Sequence, residues 1–396
     1  MKLAIFTPGF MPVPDVNGGA IEQLITKIID ANEIDKTFDI DIYTKDNVLL
    51  NEYKFEQTNL IRVNNKENFL ILKKIKNKIL SFIGKDRINY LELEMVECFK
   101  QNYYDIVLVE NNMNLYKRVQ KKLTNERLFF HLHNDFNDED LSKTVNKTRY
   151  VINTADGILV VSDFLKKKLL TLGAKKVYVV PNIVNKSDFQ LADANEIINL
   201  KEKYNIAEKD FVFLFVGRLT REKGIDKLLL ALKSLRKYKN IKCVIVGDNV
   251  FNSSDDDTYI ENLKEISESM KNTIKFAGHI NNNELYKYYS IADCVVIPSQ
   301  CEEAFGMVAL EGMLMKKPII ASKAGGLLEV PSSKGAVFIT CDESFVRNLS
   351  LTMKKLIENP LLCAEMGKYN FEKAQTFPLN SLEYFNLIKG VLLKNK

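Results

Sequence analysis

DCVVIPSQCEEAFGMVALEGM, residues 293–313, joins an apolar run to a helical pattern through a short polar loop. The apolar run ends at Pro298-Ser299. The helical pattern begins near Phe305-Gly306, with Met307, Leu310 and Leu314 spaced for one face. A strand that reads apolar throughout, followed at once by a helix, is the repeating unit of parallel α/β layers.

The same alternation extends in both directions. Downstream are KPIIAS (317–322) and GAVFIT (335–340); upstream in the same half are FVFLFVGRL (211–219), KCVIVGD (242–248) and TIKFAGH (273–279). The first half holds KLAIFT (2–7), FDIDIYT (38–44), YDIVLVE (104–110), LFFHLH (128–133), DGILVVS (156–162) and KVYVVPN (176–182). Two layered α/β domains of similar design follow. The polar stretch 182–196, NIVNKSDFQLADANE, is the expected hinge. The last segment, 376–396, is helical in pattern, with Leu382, Phe385, Ile388 and Leu392 as its apolar face.

Length and composition agree with two ordinary domains. The chain has 396 residues, 46% hydrophobic and 27% charged. A net charge of +5 is too small to indicate nucleic-acid binding. The six cysteines form no C-x-x-C pair, which suits neither a disulfide scaffold nor a zinc site and points to a reducing cytoplasm. MKLAIFTPGF reads as a buried first strand rather than a signal peptide, and no stretch approaches the roughly 20 apolar residues of a membrane span. One segment, FLILKKIKNKILSFIGK (69–85), is a basic amphipathic helix in pattern. It suits either a membrane surface or a core-facing helix with solvated lysines.

Four motifs carry the expected chemistry. In 298–313, the helix start offers unpaired backbone N–H groups and a positive dipole end, a seat for a sugar phosphate. Ala304, Phe305, Gly306 and Met307 line that start; Glu303 precedes it and Glu311 lies two turns on. In FVGRLTREKGID (215–226), a strand runs into Gly217, then Arg218, then Lys223-Gly224. Two cations at a strand's carboxyl end can neutralise a diphosphate. In TPGFMPVPDVNGGA (7–20), Gly18-Gly19 opens a helix and exposes N–H groups to an anion. In HLHND (131–135), alternation puts His131 and His133 on one face at a strand's carboxyl end. His133, nearer the end, is the expected site histidine, with His131 still open. His279-Ile280, closing TIKFAGH, join the donor-binding set. The acidic run Asp255-Asp256-Asp257 is expected to be a solvated loop, and no ligand spacing converges on a metal.

With these residues in view, the chain resembles glycosyltransferase family 4, the retaining GT-B group, over almost its whole length and most closely from about 211 to 330. Glu303 and Glu311 match the family's E-x7-E pattern, and Arg218 and Lys223 its phosphate-binding pair. Gly18-Gly19 matches its glycine loop, and His133-Asn134-Asp135 resembles its histidine motif. SDFLKKKL (162–169), VVPNIV (179–184) and SKAGGLLEV (322–330) are also similar. Two departures stand out. His133 is not followed directly by Asp, and Ile183 occupies the glycine position of the usual P-N-G-V turn.

The resemblance implies two Rossmann-like domains with parallel sheets facing across a cleft. Residues 1–187 would bind the acceptor, with 376–396 packing back on them, and residues 188–375 would bind a nucleotide-diphosphate sugar, with uridine the base expected. It further implies that Glu311 bonds the ribose and that Arg218 and Lys223 stabilise the departing diphosphate. Glu303 and the helix-start amides would hold sugar hydroxyls, and His133 would lie near the reacting centre. Neither cofactor nor metal is expected. The implied acceptor is a saccharide or lipid-linked glycan of surface-polysaccharide type, and the implied place is the cytoplasm, with 69–85 available to the inner membrane face. Nucleic acid is not an expected partner. A nucleotide-sugar epimerase, a phosphorylase or a silent binding subunit are the competing readings. The intact Arg218/Lys223 and Glu303/Glu311 set argues against the first and last, and the lack of a lysine-cofactor site argues against the second.

Overall fold

β-Branched and aromatic runs buried on both faces can satisfy their backbone only by pairing inside a covered sheet, and here every such run does so in parallel. The computed structural model describes residues 1–64, 89–136, 141–248 and 254–394; the basic stretch 69–85 lies outside them. The strands are β1 Lys2–Phe6, β2 Asp39–Lys45, β3 Thr58–Val63, β4 Ile106–Glu110, β5 Arg127–Leu132, β6 Gly157–Val160 and β7 Val177–Val179. They continue as β8 Phe211–Val216, β9 Ile241–Val246, β10 Ile274–Gly278, β11 Cys294–Ile297, β12 Ile319–Ser322 and β13 Ala336–Ile339. The described α-helices are α1 Ala20–Asp35, α2 Tyr90–Glu97, α3 Met113–Gln120, α4 Leu141–Thr154, α5 Asp163–Thr171, α6 Ala194–Lys203 and α7 Ile225–Ser234. After these come α8 Ser254–Glu268, α9 Leu285–Ile291, α10 Met307–Leu314, α11 Phe345–Ile357, α12 Pro360–Ala374 and α13 Ser381–Leu393. None is long and apolar enough to cross a membrane.

The chain divides into two units. The first comprises Met1–Val161, Leu165–Val180 and Ser381–Lys396; the second comprises Ser162–Phe164 and Pro181–Asn380. The first unit's sheet has seven strands in the order β3-β2-β1-β4-β5-β6-β7. The sequence reading has six strands there and misses β3. This is an edge strand, TNLIRV, whose outward positions are polar: Asn59 bonds Asp41, and Arg62 pairs with Asp46 at 2.6 Å. It therefore lacks the apolar signal that marks a central strand. Helix α13 packs on α1. Phe385 meets Phe38 edge-on at 6.1 Å, and Lys389 pairs with Asp35 at 2.6 Å. Phe385, Ile388 and Leu392 are buried as the pattern predicts. Leu382 is instead 41% exposed, and Tyr384 is buried.

The second unit's sheet has six strands in the order β10-β9-β8-β11-β12-β13. The chain works outward from β8 to one edge and then from β11 to the other, so the strand order reverses between β8 and β11. In open α/β sheets, ligands bind at the carboxyl ends flanking that reversal. Phe213, Ile225, Leu228, Leu229 and Met353 form part of the core under it. Asp255–Asp257 correct the sequence reading, because they lie in the first turns of α8 rather than in a loop. Acidic residues suit a helix start, where the dipole is positive.

Candidate functional site

Glycine geometry shapes the carboxyl end of β8. Gly217 has φ 151°, and a Cβ on the neighbouring Gly247 would lie 1.9 Å from the Gly217 carbonyl oxygen, so the ends of β8 and β9 close only as glycines. Arg218 then projects as an exposed side chain with no ion-pair partner among the described residues. A 3-10 turn, Arg221–Lys223, follows and ends at Gly224 in the left-handed region. A Cβ on Gly224 would stand 2.0 Å from the Pro298 carbonyl oxygen. The Gln300 amide donates to the Glu222 carbonyl at 2.6 Å. The loops after β8 and β11 are thus fastened to each other through backbone. Gly224→Ala is expected to destabilise the unit by about 2–4 kcal/mol, from left-handed strain plus a backbone clash. Urea denaturation measures it, and a loss below 0.5 kcal/mol, in the range of ordinary surface changes, would contradict the fastening.

The β11 loop brings the carboxylate to the cation. Glu303 Oε1 lies 2.6 Å from Lys223 Nζ and accepts from Ser299 Oγ at 2.5 Å. The Lys223 and Glu303 side chains are 24% and 18% exposed, so solvent still reaches the pair. The Gly326 amide donates to the Glu303 carbonyl at 2.7 Å, and a Cβ on Gly326 would strike the Ala304 carbonyl oxygen at 2.3 Å. The AGG stretch therefore backs the loop as a tight floor.

Helix α10 starts at Gly306 (φ 122°) with no side-chain cap, whereas α6 carries a full Asp193–Glu196 capping box. An uncapped start leaves its first N–H groups directed outward. The Phe305 ring is buried edge-on against Phe377 at 5.7 Å, so only its backbone can meet a ligand. Glu311, in the second turn of α10, accepts from the Tyr289 hydroxyl at 2.6 Å. Burial raises the Glu311 pKa to about 6, against the lowering by that hydroxyl. The sequence reading omits Tyr289, because nothing in LYKYYSI marks which tyrosine faces the carboxylate.

The structure thus places Gly217, Arg218, Lys223, Glu303, Ala304 and Gly306 on the loops flanking the β8/β11 reversal, and Met307 and Glu311 in the helix that follows β11. His279 and Ile280 follow β10 at the sheet edge, and no hydrogen bond or ion pair among the described residues ties them to the set.

Gly18, Gly19, His131 and His133 belong to the first unit. Both glycines have positive φ, and α1 again lacks a side-chain cap, but Glu22 lies 5% exposed there. A Cβ on Gly19 would fall 2.3 Å from its Oε2. This helix start already holds a carboxylate, raised in pKa chiefly by burial.

His131 and His133 do share a face, with ring centroids 3.9 Å apart. His133 Nε2 lies 2.7 Å from Glu110 Oε2, and burial holds the imidazole well below its usual pKa, at about 4. Burial would raise the Glu110 carboxyl, but His131 and His133 outweigh it and hold it low. The pair at neutral pH is therefore carboxylate and neutral imidazole, with Nε2–H donating and only Nδ1 left for anything else. Asp135 is engaged elsewhere, with Lys168 at 2.6 Å. Glu110 is absent from the sequence reading, which found no converging ligand set. Parallel pairing sets Glu110 opposite His131, a juxtaposition that spacing along the chain cannot reveal.

Comparison with known proteins adds the following. Residues 196–373 match the family model described as glycosyl transferases group 1. The chain is 34% identical over 227 residues to the Salmonella typhimurium lipopolysaccharide 1,2-N-acetylglucosaminetransferase, covering 57% of this chain and 56% of that protein. The chain thus spans about half the length of this relative. It is also 23% identical to spore coat protein SA of Bacillus subtilis over 95% of both. Among solved structures, Anabaena Alr3699/HepE in complex with UDP aligns over 100% of both chains with a TM-score of 0.76 at 19% identity. At that identity the likeness speaks for the fold. It agrees with the two parallel-sheet Rossmann-like units, and the solved neighbours share the GT-B architecture.

Proposed function

We propose, from the premise that residues 196–373 belong to the glycosyl transferases group 1 family, that this chain is a retaining, metal-independent glycosyltransferase. Its donor would be a UDP-linked hexose or N-acetylhexosamine, and its acceptor a glycan or lipid-linked saccharide. The observation that carries the reading is the fastened pair of loops at the β8/β11 reversal. It combines the exposed guanidinium of Arg218, without an ion-pair partner among the described residues, with an ammonium, Lys223, held by Glu303 beside an uncapped helix start. The name of the Salmonella relative supports an amino-sugar donor and a surface-glycan acceptor.

The chemistry needs little covalent help from the protein. As the bond between the anomeric carbon and the diphosphate oxygen breaks, negative charge gathers on the diphosphate. Arg218 and Lys223 are cations that meet this charge, Lys223 on leaving Glu303, and charge-stabilising groups of this kind supply the largest part of many rate enhancements. The acceptor hydroxyl attacks from the face the diphosphate leaves. Its oxygen bonds the anomeric carbon, and its proton passes to the departing phosphate oxygen, so configuration is retained and no protein nucleophile is consumed. Glu303, on exchanging Lys223 for substrate, accepts from sugar hydroxyls. The N–H groups at Gly306 and Met307 bond the phosphate. Glu311 accepts from the ribose hydroxyls.

The test is a panel of UDP-, GDP- and dTDP-sugars. It is scored first by thermal shift and then by diphosphate release with saccharide acceptors. A shift and turnover confined to one or two UDP-sugars are expected. Failure of every nucleotide to stabilise the protein at millimolar concentration would remove the reading.

A further inference from the structure

We propose that Glu110, His131 and His133 form a binding site for one borderline divalent transition-metal ion, with zinc as the ion of choice, at the carboxyl ends of β4 and β5. Strand alternation puts both imidazoles on one face, and the β4/β5 register sets Glu110 directly opposite His131. One ligand atom from each of the three lies within 4.8 Å of the others. Glu110 Oε2 is 3.2 Å from His131 Nδ1 and 2.7 Å from His133 Nε2. Ligands about 2.0–2.1 Å from a tetrahedral zinc lie roughly 3.3 Å apart, so the Glu110–His131 pair already has the spacing and the Glu110–His133 pair needs only a small opening.

The hydrogen-bond inventory points the same way. Glu110 and His131 are 0% exposed and His133 6%. Yet among the described residues Glu110 Oε1, both His131 nitrogens and His133 Nδ1 have no hydrogen-bond partner. His131 Nδ1 stands 3.2 Å from the carboxylate without the alignment of a hydrogen bond. Fully buried polar atoms are rarely left this way, and an ion is one of the few occupants that satisfies several at once. Two imidazoles and one carboxylate select zinc and its neighbours rather than magnesium or calcium, which take oxygen ligands. A water would complete the tetrahedron. The ion would tie two adjacent strand ends together and fix the His133 tautomer with its proton on Nδ1, a permanent donor. The site shares no residue with the set Arg218, Lys223, Glu303 and Glu311.

The test uses full-length, metal-stripped protein titrated with Co2+ as a visible stand-in. One equivalent is expected to produce the d–d bands of a four-coordinate N/O site. Zn2+ should displace it, and X-ray absorption of the zinc form should show two imidazoles and no sulfur. Glu110→Gln and His133→Gln should each weaken metal affinity at least tenfold, while His279→Gln leaves it unchanged. UDP-induced thermal shift of the stripped protein reports separately on the donor site. The proposal is overturned if wild type gives no d–d band, or if thiolate bands appear instead, a result that needs no variant to fold. It also fails if Glu110→Gln and His133→Gln both bind as wild type does.

Discussion

Arg218→Ala lowers kcat/KM for sugar transfer by about 100- to 1000-fold, the usual loss when one preorganised charge-stabilising group is removed, while the melting temperature stays within a degree or so. The split follows from its surroundings. Arg218 is exposed and makes no ion pair among the described residues, so the fold does not lean on it. Arg218→Lys should recover only part of the rate, because an ammonium cannot bridge two phosphate oxygens in one plane. Lys223→Ala is expected to behave differently. It removes a cation of comparable catalytic weight but also strips Glu303 of its partner at 2.6 Å, leaving a partly buried carboxylate with Ser299 alone. Stability should therefore fall along with rate, and the Lys223→Ala/Glu303→Gln double variant should be less destabilised than the sum of its parts. Steady-state kinetics paired with denaturation on the same preparations checks the contrast. An Arg218→Ala enzyme with full activity would remove this residue from the diphosphate.

The second large effect is a trade at Glu311. Its carboxyl titrates at about 6 in the fold against an ordinary 4.5, because burial penalises the charge more than the Tyr289 hydroxyl relieves it. The folded state therefore binds a proton more tightly than the unfolded state. Wild-type stability falls as pH rises from about 4.5 to 6, and above that the full penalty is present. Glu311→Gln carries no such penalty and still accepts from Tyr289. It should be about 1–2 kcal/mol more stable at pH 7 and lose that advantage by pH 4.5. The same change should weaken UDP binding about 10- to 100-fold, since hydrogen bonds from ribose to a charged acceptor are lost. Wild-type UDP affinity should fall as pH drops below about 6, while that of the variant stays flat. Calorimetry across pH 5–8 reads both. A variant that is destabilised, or that binds UDP as wild type does, contradicts the role.

Both results depend on how the chain folds locally, and much of that was readable in advance. The runs that became β8 and β11 are apolar throughout because both faces are covered. Arg218, Lys223 and Glu303 stood out because polar residues at the ends of such runs have few structural reasons to be there. β3 was unreadable because the polar residues Thr58, Asn59 and Arg62 interrupt its apolar run. Asp255–Asp257 read as loop because three acids look solvated, although they also suit a helix start. Glu110 with His131, and Tyr289 with Glu311, depend on which strand or helix lies beside which. Neither a 2-residue nor a 3.6-residue period encodes that. The Glu22 carboxylate at the start of α1 was likewise hidden, since a glutamate in a first turn is ordinarily solvated.

The most direct measurement is a crystal structure of the protein with UDP bound. The diphosphate should lie against Arg218, Lys223 and the amides at Gly306 and Met307, with the ribose hydroxyls on Glu311 and with Lys223 drawn away from Glu303. Density for the nucleotide at any other place on the second unit, with the Lys223–Glu303 pair intact, would contradict the account.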